Sequence, residues 1–156
     1  MGTLELTGRV EVSYSPEALQ VAALNREATV AKRAGDWARA CELLAQAKAI
    51  EGDAYAQTRL AKFLQQAGRL DEALAEIQWL IDRSHARARA NASPRDGAVM
   101  TQYMRLVELV GIHDDAILIC KRAKRADLQA DYEARRAAYE SLRAKLGALS
   151  GEDWVY

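Results

Sequence analysis

The side chains best equipped for chemistry in this chain are two histidines, two cysteines and two acidic pairs. His85 and His113 have the atoms to ligate a metal or move a proton, yet neither stands in a ligand spacing such as HExxH. Cys41 and Cys120 each sit in an apolar pattern at helical spacing. That is the setting of a small buried thiol, not of a disulfide framework. Asp71-Glu72 and Asp114-Asp115 read as helix-start residues whose charge offsets the macrodipole. No glycine-rich phosphate loop is present, and a metal would need more convergent carboxylates or imidazoles. The residue chemistry therefore predicts a protein without catalytic residues, metal site or cofactor, and not an enzyme.

The elements that carry these residues are mainly helical. At 156 residues the chain is long enough for one domain with a continuous core. Only 6% of it is aromatic, alanine is abundant, and Pro16 and Pro94 are its only prolines. Alanine has the highest helix propensity and lets helices approach closely. Lysine plus arginine balance aspartate plus glutamate at 22 to 22, so no global field recruits nucleic acid. No secretory signal and no apolar run of membrane-spanning length is read, and a cytoplasmic setting is expected.

Residues 1–14 form an exception to the helical reading. Leu4, Leu6, Val10 and Val12 share one parity, and Thr7-Gly8-Arg9 offers a turn. This predicts a short N-terminal β-like arm. Helices are expected to start at Ser15-Pro16-Glu17 and again at Ser93-Pro94, because serine caps and proline suits the first helical position.

A repeat follows. Gly35-Asp36-Trp37-Ala38-Arg39-Ala40 aligns with Gly68-Arg69-Leu70-Asp71-Glu72-Ala73 and with Gly111-Ile112-His113-Asp114-Asp115-Ala116. Four residues beyond each final alanine stands Leu44, Ile77 or Cys120, and three further on Ala47, Leu80 or Ala123. Seven residues before each glycine stands Ala28, Ala61 or Met104. The glycine predicts a left-handed helix end, and the alanine a close antiparallel return. The interval from Gly68 to Gly111 is longer than that from Gly35 to Gly68. Its excess falls in residues 87–96, read as an extra helical turn plus a loop.

The segments GDWARACELLAQAKAIEG and GRLDEALAEIQWLIDRS resemble the second halves of tetratricopeptide repeats, whose period is about 34 residues. The resemblance covers roughly residues 21–126. It lacks the proline that usually closes each repeat, with Gly52 and His85 in its place, and puts Glu27 where a leucine normally packs on a preceding repeat. The fold it implies is all-α: a right-handed superhelical array of three antiparallel hairpins over residues 16–52, 53–90 and 94–126. A capping helix over 128–147 and a tail over 148–156 complete the chain, so that residues 15–147 form the repeat domain. The cap follows from a stripe of Leu128, Tyr132, Tyr139, Leu142 and Leu146.

In such arrays the first helices of the hairpins line a concave groove that often holds a peptide. The groove positions implied here are Asn25, Arg26, Thr29, Lys32 and Arg33, then Tyr55, Thr58, Arg59, Lys62, Gln65 and Gln66, then Thr101, Gln102, Arg105 and Glu108. Cations dominate that set, which suits an acidic or extended partner segment. The family's chaperone-binding clamp is not reproduced, since Thr29, Arg59 and Ala98 stand at three of its positions. Trp79 lies opposite the apolar face of its helix and is expected to be an exposed contact point. The expected function is protein binding, with a protein or peptide partner. Two alternatives stand beside it. One is a homodimer assembled through the N-terminal strand. The other is weak nucleic-acid binding through Arg83, His85, Arg87, Arg89 and Arg95 around the insertion.

Overall fold

The computed structural model describes residues 13–149, and these are all-helical. Residues 1–12 of the N-terminal arm, with Leu4, Leu6, Val10 and Val12, lie outside the described residues, as do residues 150–156. Seven α-helices follow one another among the described residues: α1 (Pro16–Arg33), α2 (Trp37–Glu51), α3 (Arg59–Gln66), α4 (Leu70–Asp82), α5 (Ser84–Asn91), α6 (Ala98–Arg122) and α7 (Ala126–Gly147). A single 3₁₀ turn, Gly52–Ala54, links α2 to the approach to α3. None of these helices is long and apolar enough to cross a membrane.

Ser15 starts α1 as its sequence requires, accepting a hydrogen bond from the Ala18 amide at 3.1 Å with Pro16 just inside the helix. The helices then pair in chain order: α1 packs on α2, α3 on α4 and α6 on α7. Helix α2 joins the first pair to α3, while α3 and α4 both reach α6. The repeat positions form the contact surface. Ala28, Ala40, Ala61 and Ala73 are buried, as are Leu44, Ala47, Ile77 and Leu80. Alanines at these points let the helix backbones approach while the larger residues fill the spaces beside them.

Gly35 and Gly68 turn the first two pairs with φ of 74° and 78°. The third pair turns elsewhere. Gly111, expected at a hairpin turn, lies inside the continuous helix α6. Leu106, Leu109, Val110, Ile112 and Ala116 bury around it, and their burial outweighs the roughly 1 kcal/mol helix penalty of a glycine. The third turn is at Lys124, whose φ is 57°. Ala116 and Cys120 are still core residues, but Met104, aligned with Ala28 and Ala61, is exposed. The hairpin assigned to residues 94–126 is therefore the pair α6 and α7. The helix foreseen as a cap over 128–147 is the second arm of that pair, with Tyr132 buried and Leu142 exposed.

Two other local expectations are corrected. Ser93-Pro94 opens a turn, not a helix. The Asp96 carboxylate accepts from the Ser93 amide at 2.8 Å, and the Asp96 amide donates to the Ser93 carbonyl at 2.9 Å, so α6 starts only after Gly97. The extra helical turn expected between the second and third hairpins is a separate eight-residue helix, α5, broken from α4 at Arg83.

Glycine substitutions discriminate these turns. No heavy atom lies within 4 Å of a Cβ built at Gly35, Gly68 or Gly111, so backbone conformation alone decides the outcome. Gly111→Ala should stabilise the protein by about 0.5–1 kcal/mol, and Gly68→Ala should cost about 1 kcal/mol. Lys124→Gly should gain up to about 1 kcal/mol. Thermal melts check this, with about 2–4 °C expected per kcal/mol.

Candidate functional site

Three helices bring the expected groove residues into one polar line. On α1, Asn25 donates from Nδ2 to the Val21 carbonyl at 3.0 Å, and Thr29 donates from Oγ1 to the Asn25 carbonyl at 3.1 Å. Arg59, at the start of α3, reaches across to both. Its guanidinium donates to Thr29 Oγ1 at 2.6 Å and to the Asn25 carbonyl at 3.3 Å. The same guanidinium lies 4.9 Å from the Phe63 ring centre, and Lys32 Nζ lies 5.6 Å from it. Phe63 thus seats two cations between α1 and α3.

The line continues to α6 through Asp115. Lys62 Nζ stands 2.9 Å from Asp115 Oδ1, and Thr58 donates from Oγ1 to Asp115 Oδ2 at 2.5 Å. A cleft of about 410 Å³ opens here, lined by Thr58, Arg59, Lys62, Glu108, Ile112 and Asp115. Asp114-Asp115 are thus mid-helix residues, not helix-start charges. Asp115 pairs with Lys62 of α3, and Asp114 with Arg136 of α7. Asp71 and Glu72 do lie in the first turn of α4.

The other expected groove residues divide. Arg26, Lys32, Arg33 and Gln66 are exposed. Gln102 and Arg105 lie further back along α6, where Arg105 donates from Nε to Ser84 Oγ at 2.9 Å and from NH1 to Gln102 Oε1 at 3.4 Å. Tyr55 does not line a groove. It precedes α3 in extended backbone and is buried, its ring centre 5.9 Å from that of Trp79. Burial, with Glu76 and Glu51 nearby, pushes its hydroxyl pKa well above the usual tyrosine value.

Trp79 is not the exposed contact point its helix position implies. It is partly buried against the core, with Lys48 Nζ and the Arg83 guanidinium each 4.1 Å from its ring centre. Lys48 is itself held by Glu76 at 2.7 Å. The cations come from α2 and from the α4 boundary, so helical periodicity on α4 alone misses this cover.

Arg87 leaves the arginine-rich surface. Its side chain is 2% exposed and pairs with Glu108 of α6, and it also donates to the Leu80 carbonyl. A guanidinium held in this way is not available to phosphate. Arg89 and Arg95 remain exposed, as does His85. His113 is fully buried between α6 and α7. Its Nδ1 lies 2.7 Å from the Leu109 carbonyl, and Tyr132 and Tyr139 present their rings at 5.9 and 5.0 Å. Burial lowers its pKa, and Arg135 adds to this against the opposing effects of the Leu109 carbonyl and Asp114. Among the described residues, no group of three His, Cys, Asp or Glu is placed to hold a metal ion.

No protein-family model matches the chain, and comparison with curated proteins and with solved structures returns no match.

Two stability measurements follow from the buried groups. Arg87→Ala strips Glu108 of its partner and frees the Leu80 carbonyl, so it should cost about 3 kcal/mol in urea unfolding. Folded His113 takes up a proton less readily than the unfolded residue, so the unfolded state binds more protons as this group titrates. Its contribution is complete above about pH 6.5, the unfolded value, and is lost as pH falls towards the lowered folded value. Unfolding midpoints between pH 7.5 and 5 should therefore fall less in His113→Leu than in the parent chain.

Proposed function

We propose that this chain is a tetratricopeptide-like array with the right-handed superhelical arrangement of that family, and that it works as a protein-interaction module. The fold part rests on register. Left-handed Gly35 and Gly68 stand about one 34-residue period apart, with Ala28 and Ala61 buried at the same offset before them and Ala40 and Ala73 at the same offset after. The third pair fits less closely, because its turn moves to Lys124.

The functional part rests on one observation: α1, α3 and α6 share a polar line that runs from Asn25 and Thr29 through Arg59 to Lys62 and Asp115, beside an open cleft. An extended segment laid across three helix faces meets donors and acceptors throughout. The charge is graded. Lys62 is neutralised by Asp115, whereas Arg59 is hydrogen-bonded, among the described residues, only to neutral groups. Arg26, Lys32 and Arg33 make no ion pair among the described residues. The α1–α3 end therefore favours the acidic part of a partner segment, and the α3–α6 end a neutral part.

Selection from a displayed random-peptide library tests this reading. The enriched peptides should be acidic at one end and should lose binding to an Arg59→Glu/Lys62→Glu variant. Arg59 and Lys62 also tie helices together, so Lys32→Glu, which changes an exposed side chain beside Phe63, should weaken binding about tenfold with a nearly unchanged melt. Equal binding by the parent and both variants would remove the groove as the site.

A further inference from the structure

Nothing in the fold requires Gly111 to be a glycine. It lies inside α6, and it does not share the left-handed backbone of Gly35, Gly52 and Gly68. No heavy atom lies within 4 Å of a Cβ built on it, so no packed neighbour needs the room. A glycine inside a helix lowers stability relative to alanine, so its presence here has a cost and no structural return.

Its place in the molecule supplies the reason. Gly111 is exposed, between buried Val110 and Ile112, and it lines the cleft of about 410 Å³. Glu108, Gly111 and Asp115 stand at i, i+3 and i+7 and form one face of α6. Both carboxylates of that face are held from other helices. Arg87 of α5 pairs with Glu108, and Lys62 of α3 pairs with Asp115, which also accepts from Thr58 Oγ1. Between the two pinned carboxylates the helix backbone is bare. The cleft is closed by Thr58, Arg59 and Lys62 and by Ala56 and Gln57, exposed residues of the non-helical stretch that leads into α3.

We propose that Gly111 is a specificity-determining position of the groove, where an extended segment of a partner protein crosses α6 with its main chain in the space a side chain would fill. The inference rests on the interaction reading above and adds the point on α6 at which the segment passes. A glycine lets a second backbone come close to a helix. The crossing segment needs hydrogen-bond partners for its own N–H and C=O groups as it leaves water. Glu108 and Asp115 keep acceptor capacity for the N–H groups, and Arg59 and Lys62 carry donors for the carbonyls. Helix stability is lower at Gly111 so that the cleft stays open.

The probe is the pool of displayed random peptides enriched on the full parent chain, titrated against parent and variants. Gly111→Ala should weaken binding about threefold and Gly111→Leu at least about thirtyfold. Both variants should melt higher than the parent, by about 2–4 °C for Gly111→Ala. A structural glycine would move binding and melting in the same direction, whereas a glycine kept for access moves them in opposite directions. Parent-like binding by Gly111→Leu, with binding lost in Arg59→Glu/Lys62→Glu and weakened in Lys32→Glu, overturns this inference and leaves the interaction reading standing. Equal losses in the alanine and leucine variants, or binding and melting falling together, overturn it as well. No enrichment on the parent chain, or equal binding by the parent and every variant, removes the interaction reading and this inference with it.

Discussion

One backbone hydrogen bond recurs at the turn of each helix pair. The Asp36 amide donates to the Ala31 carbonyl, the Arg69 amide to the Leu64 carbonyl and the Arg125 amide to the Cys120 carbonyl, each at 2.9 Å. In every case the residue before the donor is left-handed: Gly35, Gly68 and Lys124. This closure satisfies carbonyls that a helix end would otherwise leave unpaired, and it reverses the chain within a few residues. Because the reversal is so tight, the next helix must lie against the last. Only small residues then fit at the nearest points, hence the buried Ala28, Ala40, Ala61 and Ala73.

The second half of the chain solves the same problem at an awkward junction. Helix α4 stops at Asp82 and α5 begins at Ser84, so the Leu80 carbonyl loses its ordinary helical partner. Arg87 reaches back from α5 to supply the missing donor, and Glu108 of α6 balances the charge. A side chain thus does what a left-handed residue does at the other turns, and in doing so ties α4, α5 and α6 together. The ion pair is a matter of geometry more than of net stability, since burial of two charges offsets much of their attraction.

The legible part of this fold was the part in which one residue type has one structural meaning. Gly35 and Gly68 mark left-handed turns because little else adopts that conformation, and the alanines around them marked the core. Lys124 takes the same conformation with no sequence signature, while Gly111 has the signature and sits in a helix, because the apolar residues around it bury as one continuous face. The candidate site shows the same division. That Asn25 and Thr29 stand on one helix and Arg59 and Lys62 on the next followed from register. The pairing of Lys62 with Asp115, the burial of Arg87 and the cation cover on Trp79 did not, because each partner belongs to another helix.

Those cross-helix partners change what a count of charges means. Six cations along a line imply a basic groove only if all six face solvent without partners. Here Lys62 is paired with Asp115, and Arg105 is hydrogen-bonded to Ser84 of α5 and to Gln102. Cations without a carboxylate partner among the described residues gather instead at the α1–α3 end of the polar line. There Lys32 and Arg59 adjoin the Phe63 ring. Field lines from a cation beside apolar surface are less screened than those from one surrounded by water. A chain with no net charge thereby keeps a local positive field on one face, while the buried charge of Arg87 is balanced by Glu108.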